Sequence, residues 1–231
     1  MTGFRTTPRH VAIILDGNRR WARRNGLDAV REGHAAGFGK IPEVLGWCEE
    51  AGIGTVTLWM LSDDNIRSRT PSELADLYDI NRDVVSRIAA ARRWQLRHIG
   101  DPSLLPETLA EVLLQAEKDN RHVDGLRVNL ALAYGGRADV VNAVRTLFEE
   151  MRGIPPQITE ESLSRHMSTA GQPDPDLAIR PSGELRTSGL LLWQAALSEL
   201  YFCDCLWPDF SRADFDRALR TYGLRDRRLG A

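Results

Sequence analysis

Cysteine is scarce in this chain. Cys48, Cys203 and Cys205 are an odd number, and no two of them make a Cys-x-x-Cys pair. That argues against a disulfide framework and a zinc site, and points to a reducing, cytoplasmic setting. Long hydrophobic runs are missing as well: no stretch approaches the ~20 apolar residues of a membrane-spanning helix. Residues 1–9, MTGFRTTPR, lack the apolar core of a secretory signal. An excess of one charge is also absent, with 30 Lys and Arg against 32 Asp and Glu. Nucleic-acid binders are usually clearly basic, so no nucleic-acid partner is expected. Any anion site must come from arginines clustered locally.

Several common site signatures are absent too. No Gly-x-Gly-x-x-Gly follows a strand-like run. Gly33–Ile41, GHAAGFGKI, has a Gly-Lys with the wrong glycine spacing and no Ser or Thr after the lysine, so it is no phosphate-binding Walker loop. There is no Gly-x-Ser-x-Gly and no His-Glu-x-x-His. His10, His98, His122 and His166 are scattered and read as structural or surface residues. His34 differs only in starting a helix near Asp16.

What is present is an alternation of elements. Val11–Leu15 and Thr55–Leu61 are apolar runs, the second β-branched, that read as buried strands, and Leu96–Ile99, Val128–Tyr134 and Leu177–Ile179 read as further strands. Helical spacing links Phe38, Ile41, Val44, Leu45 and Cys48, stopped by Gly52. A long helix opens at Pro71, with Leu74, Leu77, Tyr78, Val84, Val85 and Ile88 on one face. Leu109–Ala116, Val140–Met151 and Ser211–Leu224 give further helices. The expected fold is α/β, one domain over residues 1–231, with a mostly parallel sheet covered by helices on both faces. Gly153–Gln157 reads as a loop within it. Asp16, Ser62, Gly135 and Arg180 each stand at a strand's carboxyl end, where such sheets bind ligands.

Three clusters carry candidate chemistry. Asp16–Ala22, DGNRRWA, sets a carboxylate, a glycine, an amide and two arginines on a strand-to-helix turn. Backbone N–H groups there favour a phosphate, and Asp16 could hold Mg²⁺ against it. Spacing alone allows an ordinary capped turn equally well. Ile179–Ser188, IRPSGELRTS, places Arg180 and Arg186 around a Pro-Ser-Gly turn, with Ser188 as a hydroxyl. It suits a diphosphate, and a solvated loop stays open. Ser62–Arg69, SDDNIRSR, reads as a polar, mobile loop at the ligand edge, or as a helix entry only. Glu199, within LLLWQAALSELYF, needs an arginine or a metal as partner.

Taken together, HVAIILDGNRRWA, the strand ending in SDDN, AYGGRAD and IRPSGELRTSGLLLWQAALSELYFCDCLWPDF, in this order, resemble the cis-prenyltransferases of the undecaprenyl diphosphate synthase family. DGNRRWARRNG, KIPEVLGWCEEAGI and GQPDPDLAIR look like its short-chain, Z,E-farnesyl diphosphate synthase branch. Asp63-Asp64 is followed by Asn65, Ile66 and Arg67, so the DDxxD of trans-prenyltransferases is not there.

The resemblance implies a six-stranded parallel sheet, a homodimer, and Mg²⁺-dependent condensation of isopentenyl diphosphate with an allylic diphosphate. It makes Asp16 and Glu199 metal ligands and Asp16 and Asn65 catalytic. Gly17, Asn18, Arg19, Arg20, Trp21 and His34 would hold the allylic diphosphate. Arg180, Arg186, Thr187 and Ser188 would hold isopentenyl diphosphate, with Ser62, Asp63, Asp64, Ile66 and Arg69 at the substrate loop. Met60 would set product length. Arg228-Leu229-Gly230 is similar to a terminal motif that reaches a diphosphate across the dimer. Departures are Ile66 where the family usually has Trp, Leu185 where many members have a metal-ligating His, and a loop longer by one residue. The longer loop makes Arg67 and Arg69 rival candidates, with Arg69 preferred, and altered spacing before His34 leaves Arg31 without an assured role. Other readings are head-to-middle joining or cyclisation of dimethylallyl units, and a catalytically silent subunit. The Asp16 carboxylate is expected to contribute little to the core.

Overall fold

The computed structural model describes residues 7–27, 30–150 and 158–225. The expected loop at 153–157, the end of the helix at Met151 and Arg228-Leu229-Gly230 lie outside them.

β1 (His10–Ile14) is buried at all of its positions, as a central parallel strand covered on both faces must be. α1 (Asn18–Arg24), α2 (Val30–Gly39) and α3 (Ile41–Glu50) follow. The single helix expected from Phe38 to Cys48 is two, broken at Lys40. Pro42 explains the break, since proline has no N–H and fits only in a helix's first turn. β2 (Thr55–Ser62) runs into α4 (Asp63–Ser68) and α5 (Pro71–Ala90). The SDDNIRSR segment is therefore largely helical, because Ser62 caps it by accepting from the Asn65 N–H at 3.0 Å. Thr70 and Glu73 cap α5 reciprocally. Then come β3 (Gln95–Ile99), α6 (Glu107–Asn120), β4 (Arg127–Tyr134), α7 (Gly136–Glu150), α8 (Glu160–Ser164), β5 (Leu177–Arg180), β6 (Glu199–Phe202) and α9 (Arg212–Gly223).

The six strands are parallel, in the order β3-β4-β2-β1-β5-β6. β1 thus stands between the early strands and the late ones. At such a switch point, connections leave neighbouring strands in opposite directions and a crevice opens beyond their carboxyl ends. The main core lies on one face, where Val11, Ile13, Val56, Leu58 and Ile179 meet α3, α5, α6 and α9. On the other face, small residues Ala12, Ala131 and Ala178 admit Leu190 and Leu191.

The pairing of β2 with β4 is interrupted near its end. Trp59 faces Ala131, Leu61 faces Leu132 and Ser62 faces Tyr134. The extra residue on β2 breaks the alternation of faces. Met60 and Leu61 consequently both join the main core, while Trp59 packs on the opposite face.

Candidate active site

A cavity of about 370 Å³ opens beyond the carboxyl ends of β1, β2 and β5. Asp16, Ser62 and Arg180 line it, as the strand ends predict. Gly135 does not. It lies against the side chain of Asp63, and a β-carbon there would collide with that carboxylate.

Asp16 sits on the turn from β1 to α1. Gly17 follows with φ +103, and a β-carbon on it would come within 2.9 Å of Leu206, so only glycine makes this turn without strain. The Trp207 N–H donates to the Asp16 carbonyl at 3.0 Å, and Asn18 Nδ2 donates to the Leu15 carbonyl at 3.0 Å. The carboxylate itself is densely bonded. Arg180 Nη2 donates to Oδ2 at 2.7 Å, Ser182 Oγ to the same oxygen at 2.9 Å, and the Gly17 N–H to Oδ1 at 2.6 Å. Burial pushes the pKa of Asp16 up, but the Arg180 and Ser182 bonds, the Arg180 charge and the Gly17 N–H outweigh it and hold it below the usual carboxylate value.

Arg180 is 5% exposed. Its Nη1 donates to Ser188 Oγ at 2.8 Å and to the Arg186 carbonyl at 2.5 Å, while its buried Nε has no partner among the described residues. Arg20 Nη1 donates to the Ser182 carbonyl at 2.9 Å, and Glu184 pairs with both Arg20 and Arg186. The cavity is lined by Arg19, Arg20, Arg23, Arg69, Arg180 and Arg186 against two carboxylates, Asp16 and Glu184. A chain with a formal net charge of -2 has therefore gathered a strongly cationic pocket, the expected receptor for clustered phosphate charge.

His34, Asn65 and Arg69 form the opposite wall. His34 Nδ1 lies 2.9 Å from the Val30 carbonyl, and Arg69 Nη1 lies 3.3 Å from Nε2. A carbonyl only accepts and a guanidinium only donates, so the proton is on Nδ1 and Nε2 is the acceptor. Burial lowers the His34 pKa to about 4, with Arg69 and Arg19 adding to it. The ring is neutral near pH 7. Arg69 Nη2 also reaches Asn65 Oδ1 at 3.5 Å. Arg67 is turned away, paired with Asp63 and Asp64, and Arg31 is paired with Asp76 at the surface. Of the two rival arginines, the one facing the cavity is Arg69.

The remaining wall is apolar and comes from Ile14, Leu15, Trp59, Met60 and Leu61. Met60 is 6% exposed.

Six of the residues expected at the substrates or metal stand elsewhere. Trp21 donates its ring N–H to Asp209 at 2.7 Å, outside the cavity. Asp63 caps and salt-bridges within α4, Asp64 is exposed beside it, and Ile66 packs on the core. Thr187 does not line the cavity. Glu199 stands farthest from the cavity. It pairs with Leu177, which pairs with Val11, so it lies level with the start of β1, on the order of 15 Å from Asp16 at ~3.3 Å per residue. Its carboxylate lies 3.7 Å from Arg225. Within one chain, Glu199 and Asp16 cannot share an ion.

The sequence does not mark two polar lining residues, Arg23 and Glu184, or Ser182, which bonds Asp16 from outside the lining. Arg23 follows Arg19 at i+4 and shares its helix face, a spacing that could have revealed it. Ser182 and Glu184 lie inside the quoted arginine loop, but nothing in the sequence shows Ser182 at φ +100 with its hydroxyl on Asp16.

No group of three or more His, Cys, Asp or Glu among the described residues forms a metal cage. An ion such as Mg²⁺ takes most of its ligands from water and substrate phosphates and needs only one or two protein carboxylates. Asp16, ionised and part-exposed at the cavity floor, fits that description.

The prenyltransferase family model of undecaprenyl diphosphate synthase matches residues 14–230. The chain is 47% identical to a (2Z,6E)-farnesyl diphosphate synthase of Thermobifida fusca over 230 residues, covering 96% of this chain and 90% of that one. It is 48% identical to a short-chain Z-isoprenyl diphosphate synthase of Mycobacterium leprae over 231 residues, covering 96% and 88%. Among solved structures, lavandulyl diphosphate synthase from Lavandula x intermedia, in complex with dimethylallyl diphosphate, superposes with a TM-score of 0.91 at 37% identity, covering 97% of this chain and 99% of that one. With the cationic cavity, the parallel sheet and these matches in hand, the chain belongs to the undecaprenyl diphosphate synthase family and is an isoprenyl transferase of the short-chain, Z-forming kind.

Proposed function

We propose that this enzyme joins isopentenyl diphosphate to geranyl diphosphate, giving (2Z,6E)-farnesyl diphosphate and free diphosphate. The observation that carries this is one cavity with an arginine-rich end and an apolar wall closed by buried Met60. Two diphosphates need the first, and two short hydrocarbon tails need the second.

Arg19, Arg20 and the N–H groups at the start of α1 would hold the allylic diphosphate. Arg180, Arg186 and Ser188 would hold isopentenyl diphosphate. Mg²⁺, bound by Asp16 and phosphate oxygens, would neutralise charge on the leaving group. The allylic C–O bond breaks with its electron pair leaving on diphosphate, and the isopentenyl double bond attacks the freed carbon. The fixed guanidiniums favour that charge shift without reorganising. Asn65 would face the C2 proton that must leave. An amide is too weak a base to keep a proton, so Asn65 orients and the released diphosphate accepts. Neutral His34 keeps Arg69 directed at Asn65. We place the enzyme in the cytoplasm as a homodimer, the assembly supported by the family resemblance.

The test is product chromatography after dephosphorylation, with dimethylallyl, geranyl and farnesyl diphosphates as separate primers. The fifteen-carbon product from geranyl diphosphate is expected, and a long-chain product would overturn the reading. The likeness to lavandulyl diphosphate synthase favours a second reading, head-to-middle joining of dimethylallyl units. Product from dimethylallyl diphosphate alone, without isopentenyl diphosphate, would establish it instead.

A further inference from the structure

Cys203 and Cys205 directly follow β6 and stand outside the cavity. Both are half-buried free thiols, and their Sγ atoms lie 3.2 Å apart. Side chains at i and i+2 share a face of an extended segment, and a bend at Asp204 draws them together.

The backbone of this same pair supports the arginine loop. The Ser182 N–H donates to the Cys205 carbonyl at 2.7 Å, the Gly183 N–H to the Cys203 carbonyl at 2.9 Å, and the Cys203 N–H to the Arg180 carbonyl at 3.2 Å. Ser182 and Gly183 are both left-handed, with φ +100 and +73. A serine keeps such a conformation only where its surroundings over-determine it. Here the two cysteine carbonyls do so, and Ser182 then donates its hydroxyl to Asp16.

We propose that Cys203 and Cys205 are a reversible dithiol–disulfide site, oxidised by a low-molecular-weight disulfide, whose closure loosens the Arg180–Gly183 loop. Cys205, as the thiolate, attacks one sulfur of the oxidant and expels the first small thiolate. That thiolate takes the proton of Cys203. The Cys203 thiolate attacks the Cys205 sulfur of the mixed disulfide and expels the second small thiolate, which is protonated by solvent. Two protein thiols are oxidised and one small disulfide is reduced to two thiols. Cys205 is the better attacker, because the hydrogen bond from Cys203 lowers its pKa against the upward push of burial. Bond formation shortens the sulfur separation to about 2.05 Å. With only Asp204 between them, residues 203–205 must rotate, and the carbonyls that hold Ser182 and Gly183 rotate with them. Such a strained bond is readily reduced again.

What this implies for turnover rests on the prenyltransferase reading; the thiol chemistry does not. The full-length protein is reduced, treated with oxidised glutathione, and weighed by mass spectrometry after alkylation under denaturing conditions. A species lighter by two hydrogens and carrying one alkylated thiol is expected. It should form in Cys48→Ser, which then carries none, and fail to form in Cys203→Ser and Cys205→Ser. Ser182 and Gly183 amides should exchange hydrogen faster in the oxidised protein. The KM for isopentenyl diphosphate should rise roughly 3- to 10-fold, the worth of about one hydrogen bond, and return on reduction. A stable glutathione adduct, or no reaction, would remove the site. A disulfide with unchanged exchange at Ser182 and Gly183 would remove the coupling. An enzyme inactive in both states would count against the prenyltransferase reading, with mass and exchange still deciding the thiol site.

Discussion

Asp16 shows how one side chain joins stability to chemistry. From the sequence, its place on a strand-to-helix turn suggests a carboxylate with little part in the core. The structure corrects this: Asp16 is the counter-charge of Arg180, whose side chain is 6% exposed. That partnership was not legible, because 164 residues separate the two and no local pattern links them. Removing the carboxylate leaves a buried cation unpaired. Asp16→Ala is expected to lower stability by about 2 kcal/mol, the value of a charged hydrogen bond. It should also lower kcat/KM by at least about 10²- to 10³-fold, as when a preorganised electrostatic group is lost. Denaturant melts and steady-state rates at saturating Mg²⁺ check the two separately, and near-normal turnover would end the assignment. Asn65, Arg69 and His34 were nameable beforehand only through the resemblance. Their hydrogen bonds join α2 to the end of α4, which only the fold brings together.

Among the elements, β1, β2, β4 and β5 were legible because burial on both faces leaves a largely apolar run, and β3 through Leu96 and Ile99 alone. β6 was not, since it lies at the sheet edge, is mostly part-exposed and continues the apolar stretch before it without a break. α4 was hidden by its polarity: its cap at Ser62 and not an apolar face makes it a helix. The irregularity in β2 was equally invisible, yet it shapes the apolar wall of the cavity. It turns Met60 and Leu61 to the same face, so the wall carries two bulky side chains in succession. Each isoprene unit buried in an apolar tunnel contributes on the order of 4 kcal/mol at about 0.8 per carbon, so elongation continues wherever space allows. Met60→Ala should shift the product distribution to longer chains, with a smaller loss of turnover than Asp16→Ala. Its cost in stability should be about 2 kcal/mol, the low end for a buried methionine, because one side already borders open space. Unchanged chain length in a folded, active variant would place the stop elsewhere.

At the scale of the whole molecule, the starting edge of the sheet carries its own polar network. His10 Nδ1 donates to the Pro173 carbonyl at 2.7 Å, and Nε2 accepts from Thr57 Oγ1 at 2.8 Å. Thr57 in turn accepts from Asn129, which exchanges amide bonds with Gln172. Burial lowers the His10 pKa to about 4 from 6.5, with Arg127 adding to it. The unfolded chain therefore takes up a proton below pH 6.5 that the folded protein refuses until about pH 4. Stability is full above 6.5 and falls as pH drops between these values, by on the order of 3 kcal/mol from this group. Thermal melts from pH 7 to 4 should show the fall, which buried His34 shares because its pKa is also about 4, and His10→Gln should make it clearly shallower; an equally steep curve in that variant would acquit His10. The parallel sheet keeps this network and the arginine cavity at opposite ends of the same strands. Sequence drift at one end is therefore read by a thermometer, and drift at the other by a clock. A lineage of such proteins could change what it makes without renegotiating how it stands up.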